Sequence, residues 1–146
     1  MGRVGGQGEQ ALGRSRGGFG TKLHGSCNGL GQPVGLVLTV GQESDSGQAE
    51  ALSGDHTPEV VVADKGYDKK ELVARVAARG AAAVLPTQKN RKTPRAVDPH
   101  VYRERNVVER FWARAKPFRR VATRYEKKAA NFLAFAWVAA LVVMME

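Results

Sequence analysis

The chain has 146 residues, of which 42% are hydrophobic, and 23 Lys and Arg residues outnumber 14 Asp and Glu residues to give a net charge of +9. This length suits one domain with one core, and a lone cysteine excludes an intramolecular disulfide scaffold and a CxxC-type zinc site. No apolar segment typical of a signal peptide occurs in residues 1–20. The positive charge favours a polyanionic partner, either nucleic acid or an anionic membrane surface.

The N-terminal third is predicted as a flexible segment followed by a hairpin. Residues 1–20 contain eight glycines and predict flexibility, which leaves 21–146 as the folded domain. Strands are expected at 21–26 and 34–40, because the second is an apolar, β-branched run and Asn28-Gly29 is a turn dipeptide. A short helix at 48–52 is expected after the hairpin.

The middle of the chain alternates strand and helix patterns. Apolar runs at 60–63 and 82–85 predict strands, and the helical spacing of apolar residues at 69–79 predicts a helix between them. Residues 86–99 contain three prolines and predict a loop. This alternation indicates an α/β layer with a partly parallel sheet.

Two long helices are predicted in the C-terminal part. Asp98-Pro99 is typical of an N-cap followed by the first helical position, and Pro117 ends or kinks the helix near Lys116. A last helix is expected over residues 125–145. Its unbroken apolar run of 14 residues is shorter than the ~20 residues of a membrane span, which favours a buried core helix.

The basic character is local. Residues 89–128 hold 14 of the 23 Lys and Arg residues and only four acids, so this segment is +10 and the rest of the chain is 9 − 10 = −1. A solvated helix face is the ordinary explanation, but the density of charge favours contacts with phosphates. We expect Arg110, Arg119 and Arg120 to make such contacts.

Two carboxylates are candidates for chemistry. Asp64 directly follows the strand at 60–63, where α/β sheets often place functional groups, although alone it is more simply a turn aspartate. Tyr102, Arg105, Glu109 and Lys116 share one narrow helical face, which is not a core pattern. An ordinary ion pair between Arg105 and Glu109 explains part of that face equally well.

Together these residues suggest phosphoryl-transfer chemistry. Carboxylate oxygens suit Mg²⁺, two such ions clamp the attacking and leaving oxygens of a phosphodiester, and neighbouring cations hold the nucleic-acid backbone. A two-metal site of this kind usually needs a further carboxylate.

Several segments carry a more specific resemblance. They are ADKGYD at 63–68, YRERNVVERFWARAKPFRR at 102–120, TRYEKKAANFLAF at 123–135, and two N-terminal stretches at 6–24 and 29–42. They resemble the DDE transposases of bacterial insertion sequences, most closely the branch called the IS-five family. Its pattern is Tyr, two residues, Arg, three residues, Glu, six residues, Lys, which Tyr102, Arg105, Glu109 and Lys116 match.

The resemblance implies a ribonuclease-H-like α/β fold and DNA transposition through metal-dependent strand cleavage and strand transfer. It makes Asp64 and Glu109 the second and third acids of the triad, holding Mg²⁺ or Mn²⁺, and places Arg105 and Lys116 on DNA, with Tyr102 beside them. The implied partners are insertion-sequence ends and target DNA, with a second copy of the chain or an upstream reading-frame product. The implied location is the bacterial cytoplasm, at the nucleoid.

One family feature has no match. The first catalytic Asp of the family lies in an Asp-x-Thr strand, whereas Asp45 lies in a polar turn only 19 positions before Asp64 and is interpreted as a turn residue. We therefore expect an incomplete catalytic fold that lacks its first strand, and an inactive isolated chain. The alternatives are a non-catalytic DNA-binding remnant or interfering fragment, and a basic peripheral membrane protein.

Overall fold

The computed structural model describes residues 9–146, without the side chain of Ser15, and its N-terminal part is a three-stranded antiparallel sheet. Its strands are β1 (Gly13–Ser15), β2 (Gly18–Cys27) and β3 (Pro33–Val40), in that order. The predicted hairpin between β2 and β3 is confirmed, with Leu23 opposite Leu38. The Asn28 side-chain oxygen accepts hydrogen bonds from the N–H groups of Leu30 (3.0 Å) and Gln32 (3.1 Å), which fixes the turn.

The glycine-rich segment is more ordered than its composition indicates. Residues 1–8 lie outside the described part, whereas residues 13–15 and 18–20 form strands that were not predicted. Long-range hydrogen bonds explain the order: Thr21 Oγ1 donates to the Ala11 carbonyl (2.6 Å), and Arg124 Nη1 donates to the Gln10 carbonyl (2.7 Å). The domain boundary at residue 20 stays a prediction.

A second unit contains two parallel strands. A 3₁₀ turn (Asp45–Gln48) and the short helix α1 (Ala49–Ser53) lead to β4 (Val60–Val62). The helix α2 (Lys70–Ala78) then crosses to β5 (Ala82–Val84), which pairs with β4 in parallel. Within residues 9–146 no strand pairing joins this pair to the antiparallel sheet, so the expected single, partly parallel sheet is present as two sheets.

Four helices complete the chain, where two were predicted. They are α3 (Pro99–Arg103), α4 (Asn106–Ala115), α5 (Arg119–Ala122) and α6 (Ala129–Met145). The expected continuous helix from Pro99 is interrupted at Glu104 and Arg105. There the Arg105 N–H donates to the Tyr102 carbonyl (3.1 Å) and the Val107 N–H to the Glu104 carbonyl (3.0 Å), which is the tighter 3₁₀ pattern.

The core lies where α4 and α6 cover the β2–β3 hairpin. It contains Leu36 from β3, Phe111 from α4, and Ala136, Ala140 and Val143 from α6. The outer face of α6 is apolar too and remains exposed. None of the helices in residues 9–146 has the length and apolar character needed to cross a bilayer. The mixed α/β class predicted from the sequence is confirmed.

Candidate functional site

Asp64 begins the turn that follows β4. Its Oδ1 accepts a hydrogen bond from the Gly66 N–H (2.7 Å), and the carboxylate is exposed. A Cβ at position 66 would lie 2.9 Å from that oxygen, so a larger residue there would displace the Asp64 side chain from this position. The turn therefore holds the carboxylate in a fixed direction at the carboxyl end of a strand, as the sequence predicts.

Asp45, in the 3₁₀ turn before α1, exerts an electrostatic effect on the turn that Asp64 begins. Burial, and then the negative charges of Asp45 and Asp64, raise the pKa of Tyr67 to about 12. Asp45 also forms an ion pair with Lys22 (3.0 Å). Its position in the 3₁₀ turn agrees with its interpretation as a turn residue.

Tyr102, Arg105 and Glu109 form a connected group on α3 and α4. The Asp98 side chain caps α3 by accepting from the His100 N–H (2.8 Å), as predicted. An Arg105 Nη2 lies 2.6 Å from Glu109 Oε1, and the Arg105 guanidinium carbon lies 5.6 Å from the centre of the Tyr102 ring. Lys116 caps the end of α4, about 10 Å along the axis from Glu109 at 1.5 Å per residue.

Packing of α4 fixes the direction in which Glu109 points. Phe111 and Ala115 are buried in the core, and the Trp112 ring lies over β2 at Gly25. A Cβ at position 25 would come within 2.6 Å of the Trp112 ring, so only glycine allows this contact. The buried face of α4 thus leaves Glu109, Arg110 and Lys116 on the solvent side.

The remaining cations predicted to contact phosphates lie on α4 and α5. Arg110 is exposed, and so are Arg119 and Arg120. Arg119 Nε donates to the Tyr125 hydroxyl (2.9 Å), whereas Arg120 pairs with Glu126 and lies over the Phe135 ring at 4.6 Å. Only part of the charge on each of these two arginines is therefore open to a phosphate.

The basic loop before α3 contains a buried ion cluster that sequence reasoning missed. The Asp68 carboxylate has no exposed surface and forms ion pairs with Arg91, at 2.8 Å, and with Arg95. Burial alone raises the pKa of the Asp68 carboxyl, but hydrogen bonds from the Gln88 N–H and the two guanidinium groups outweigh burial, so the pKa lies below its usual value. Two of the 14 cations in residues 89–128 are thus structural.

The donor chemistry fits a divalent cation, but the number of donors does not complete a site. Asp64 and Glu109 offer the carboxylate oxygens that Mg²⁺ and Mn²⁺ prefer. Among the residues described, no three His, Cys, Asp or Glu side chains are grouped so that they could hold a metal ion. The recorded partners of Asp64 and Glu109 are the Gly66 N–H and Arg105, and two carboxylates are fewer than a two-metal site of this kind usually has.

The chain is similar to transposases. A family model described as "Transposase DDE domain" matches residues 3–145. A protein of Brucella ovis, whose name describes it as a transposase for the insertion sequence element IS6501, is 32% identical over 127 residues, which cover 86% of this chain and 98% of that protein. No solved structure matches the chain significantly.

Proposed function

Because this chain belongs to the transposase DDE domain family, we propose that it carries part of the catalytic site that cleaves and joins DNA strands when an insertion sequence moves. The Brucella ovis relative is named for that process, and its similarity extends over nearly its whole length. The proposed substrates are insertion-sequence ends and target DNA. We also propose membership of the IS-five branch and a ribonuclease-H-like arrangement, supported by a hairpin that precedes a parallel βαβ unit.

The observation that carries the proposal is the connected group of Tyr102, Arg105 and Glu109. These residues match the family pattern in sequence, and the Arg105 side chain contacts both Glu109 and the Tyr102 ring. An ordinary helical ion pair accounts for Arg105 and Glu109 alone, but not for a tyrosine ring against the same guanidinium. Asp64, held at the end of β4, supplies the second carboxylate.

In the proposed site, Asp64 and Glu109 would hold divalent metal ions together with a third carboxylate. The bound ions would supply activation of water or a DNA 3′-hydroxyl and stabilisation of the leaving oxygen. Arg105 fixes the orientation of the Glu109 carboxylate through their ion pair. Lys116, Arg110, Arg119 and Arg120 contact DNA phosphates, with Tyr102 beside the same strand.

The test is the transposition frequency of a marked element that expresses this chain within its complete coding region. We expect Asp64→Asn and Glu109→Gln each to lower the frequency by about 100-fold or more, the loss typical of removing one electrostatic catalytic group. Both substitutions preserve shape, and both sites are exposed, so folding should be unaffected.

Matched controls are available nearby in the sequence. Asp55→Asn and Glu104→Gln each remove one exposed carboxylate that no part of the proposed site uses, and each should leave the frequency within about 2-fold of the wild type. A wild-type frequency for either Asp64→Asn or Glu109→Gln would remove that residue from the site.

A further inference from the structure

Asp68 stands at the far end of the turn that begins with Asp64. The Tyr67 N–H donates to the Asp64 carbonyl (3.1 Å), and the Asp68 N–H donates to the Lys65 carbonyl (3.2 Å). With the side-chain bond from Asp64 to the Gly66 N–H, these contacts make residues 64–68 one hydrogen-bonded unit. The positions of Asp64 and Asp68 are therefore fixed relative to each other.

The Asp68 side chain is fully buried, and its hydrogen-bond partners all come from a single loop. Its Oδ2 accepts from the Gln88 N–H (2.8 Å) and from Arg91 Nε (2.8 Å), and its Oδ1 accepts from Arg95. Arg91 also donates to the Asp68 carbonyl (3.0 Å). Because every one of these donors lies in residues 88–95, one carboxylate determines how this part of the loop is placed.

The same loop leads directly to the helices that carry Glu109. The Arg95 N–H donates to Thr87 Oγ1 (2.7 Å), which closes the loop on itself. Three positions later, Asp98 caps α3, and α4 follows. Hydrogen bonds therefore connect Asp64 to Asp68 and Arg95, and three residues of chain connect Arg95 to the start of the helical segment that contains Glu109.

A contribution to folding stability alone does not explain why charged residues occupy this buried cluster. It removes one anion and much of two cations from water, and Arg95 Nε is buried without a hydrogen-bond partner among the described residues. Well-packed apolar residues often stabilise a fold as well as a buried ion cluster does. The two planar guanidinium groups instead supply a fixed direction of approach to the carboxylate.

We propose that Asp68 is a positioning residue: through Arg91 and Arg95 it fixes α3 and α4, and therefore Glu109, relative to Asp64. This inference rests on the proposed function of Asp64 and Glu109 as partners in one site. Asp68 itself is enclosed by the loop, so it acts on the site through the loop and the helices.

The first experiment measures geometry and needs no activity. Spin labels are attached at Lys65→Cys and Ala113→Cys, both exposed, in a Cys27→Ser background, and their separation is recorded by pulsed electron resonance. We expect Asp68→Asn, which keeps the shape but removes the charge, to shift the mean distance by about 1 Å or more or to broaden its distribution. A misplacement of about 1 Å can cost about 100-fold in rate, so we expect a comparable fall in transposition frequency.

The control separates positioning from simple loss of stability. Leu36→Ala opens a cavity in the core between α6 and β3, so it weakens the fold without touching the Asp68 cluster. It should leave the distance distribution unchanged at temperatures where circular dichroism shows a folded chain. If Asp68→Asn does not fold, Arg95→Lys provides the same test, because it keeps the positive charge and loses the planar fork.

Two results would overturn the proposal. One is an unchanged distance distribution in the folded Asp68→Asn variant, or in Arg95→Lys if that variant has to be used. The other is a changed distribution with a wild-type transposition frequency. Failure of the proposed function is recognised separately, because wild-type transposition by Asp64→Asn or Glu109→Gln would refute it whatever the spin labels report.

Discussion

His24 lies on β2 with its ring buried and hydrogen-bonded, Nε2 lying 2.7 Å from Thr39 Oγ1. Burial lowers its pKa below 6.5; the negative charge of Asp45 partly opposes this effect, Lys22 reinforces it, and Glu43 adds a smaller opposing charge. The folded chain therefore holds His24 neutral at a pH where an unfolded chain already binds a proton.

The free energy of unfolding should consequently fall as the pH drops below about 6.5, because the unfolded state gains a proton that the folded state excludes. Urea unfolding at pH 7.5 and pH 5.5 measures this difference. We expect His24→Gln to reduce it, whereas His56→Gln, at an exposed position, should retain it. An identical pH dependence in the wild type and in His24→Gln would contradict this assignment.

For single residues, the sequence predicts side-chain contacts between positions a few residues apart, but not contacts between positions far apart in the chain. The spacing of Tyr102, Arg105 and Glu109 predicts that they lie together, and Arg105 contacts both of the others although the helix is interrupted at Glu104 and Arg105. Asp68 is different, because its partners lie 20 to 27 positions away in a proline-rich loop with no period to count. The motif that contains Asp68 was recognised, but nothing local indicated that Arg91 and Arg95 serve it rather than a phosphate.

Helix α6 shows how small residues set the distance between elements. Its face toward β3 and α4 carries Ala136, Ala139 and Ala140, and Ala140 has no exposed surface. Small side chains allow the helix to approach the sheet closely, and a larger residue there would force it outward.

We predict that Ala140→Leu destabilises the chain by about 1–3 kcal/mol through overpacking. The same substitution at Ala134, on the exposed face of α6, should change the free energy of unfolding by less than about 0.5 kcal/mol, since helix propensity barely differs. Denaturant unfolding of both variants provides the comparison. Equal effects at the two positions would mean that α6 does not pack as described.

Two boundaries of secondary-structure elements were not predicted from the sequence. The sequence between Pro99 and Lys116 contains no glycine or internal proline, so nothing local predicted the 3₁₀ interruption at Glu104 and Arg105. Strand β1 was not predicted because glycines suggest flexibility, whereas β1 pairs with β2 and Arg124 donates a hydrogen bond to the Gln10 carbonyl just before it. The hairpin, helix α2 and the Asp98 cap were predicted because the turn residues, the apolar periodicity and the capping residue each lie within a short stretch of sequence.

For the whole molecule, the count of 14 Lys and Arg residues in residues 89–128 overstates the number of cations that are open to DNA. Arg91, Arg95 and Arg105 are engaged by carboxylates, whereas no ion pair is recorded for Arg110 or Lys116 within residues 9–146. Electrostatic affinity for DNA should therefore depend on a subset of the basic segment.

We predict that Arg110→Ala and Lys116→Ala each weaken binding to duplex DNA and lower the slope of log K against log salt by about 1. Lys70→Ala, which removes an exposed charge from α2, should leave the slope within error of the wild type. Fluorescence anisotropy from low to moderate salt measures all three. A uniform change across the three variants would indicate nonspecific charge rather than a defined DNA face.

The hydrogen bonds of Gln10 join parts of the chain that the ribosome synthesises many seconds apart. Its carbonyl accepts from Arg124, and its side-chain oxygen accepts from the Ala129 N–H (2.9 Å), 119 positions later. At about 5–20 residues per second, a ribosome needs roughly 6–24 s to travel between these positions. During that interval the apolar face of the hairpin has no helix α6 to cover it. A nascent chain of this kind is a natural client for chaperones that shield apolar surface until synthesis ends.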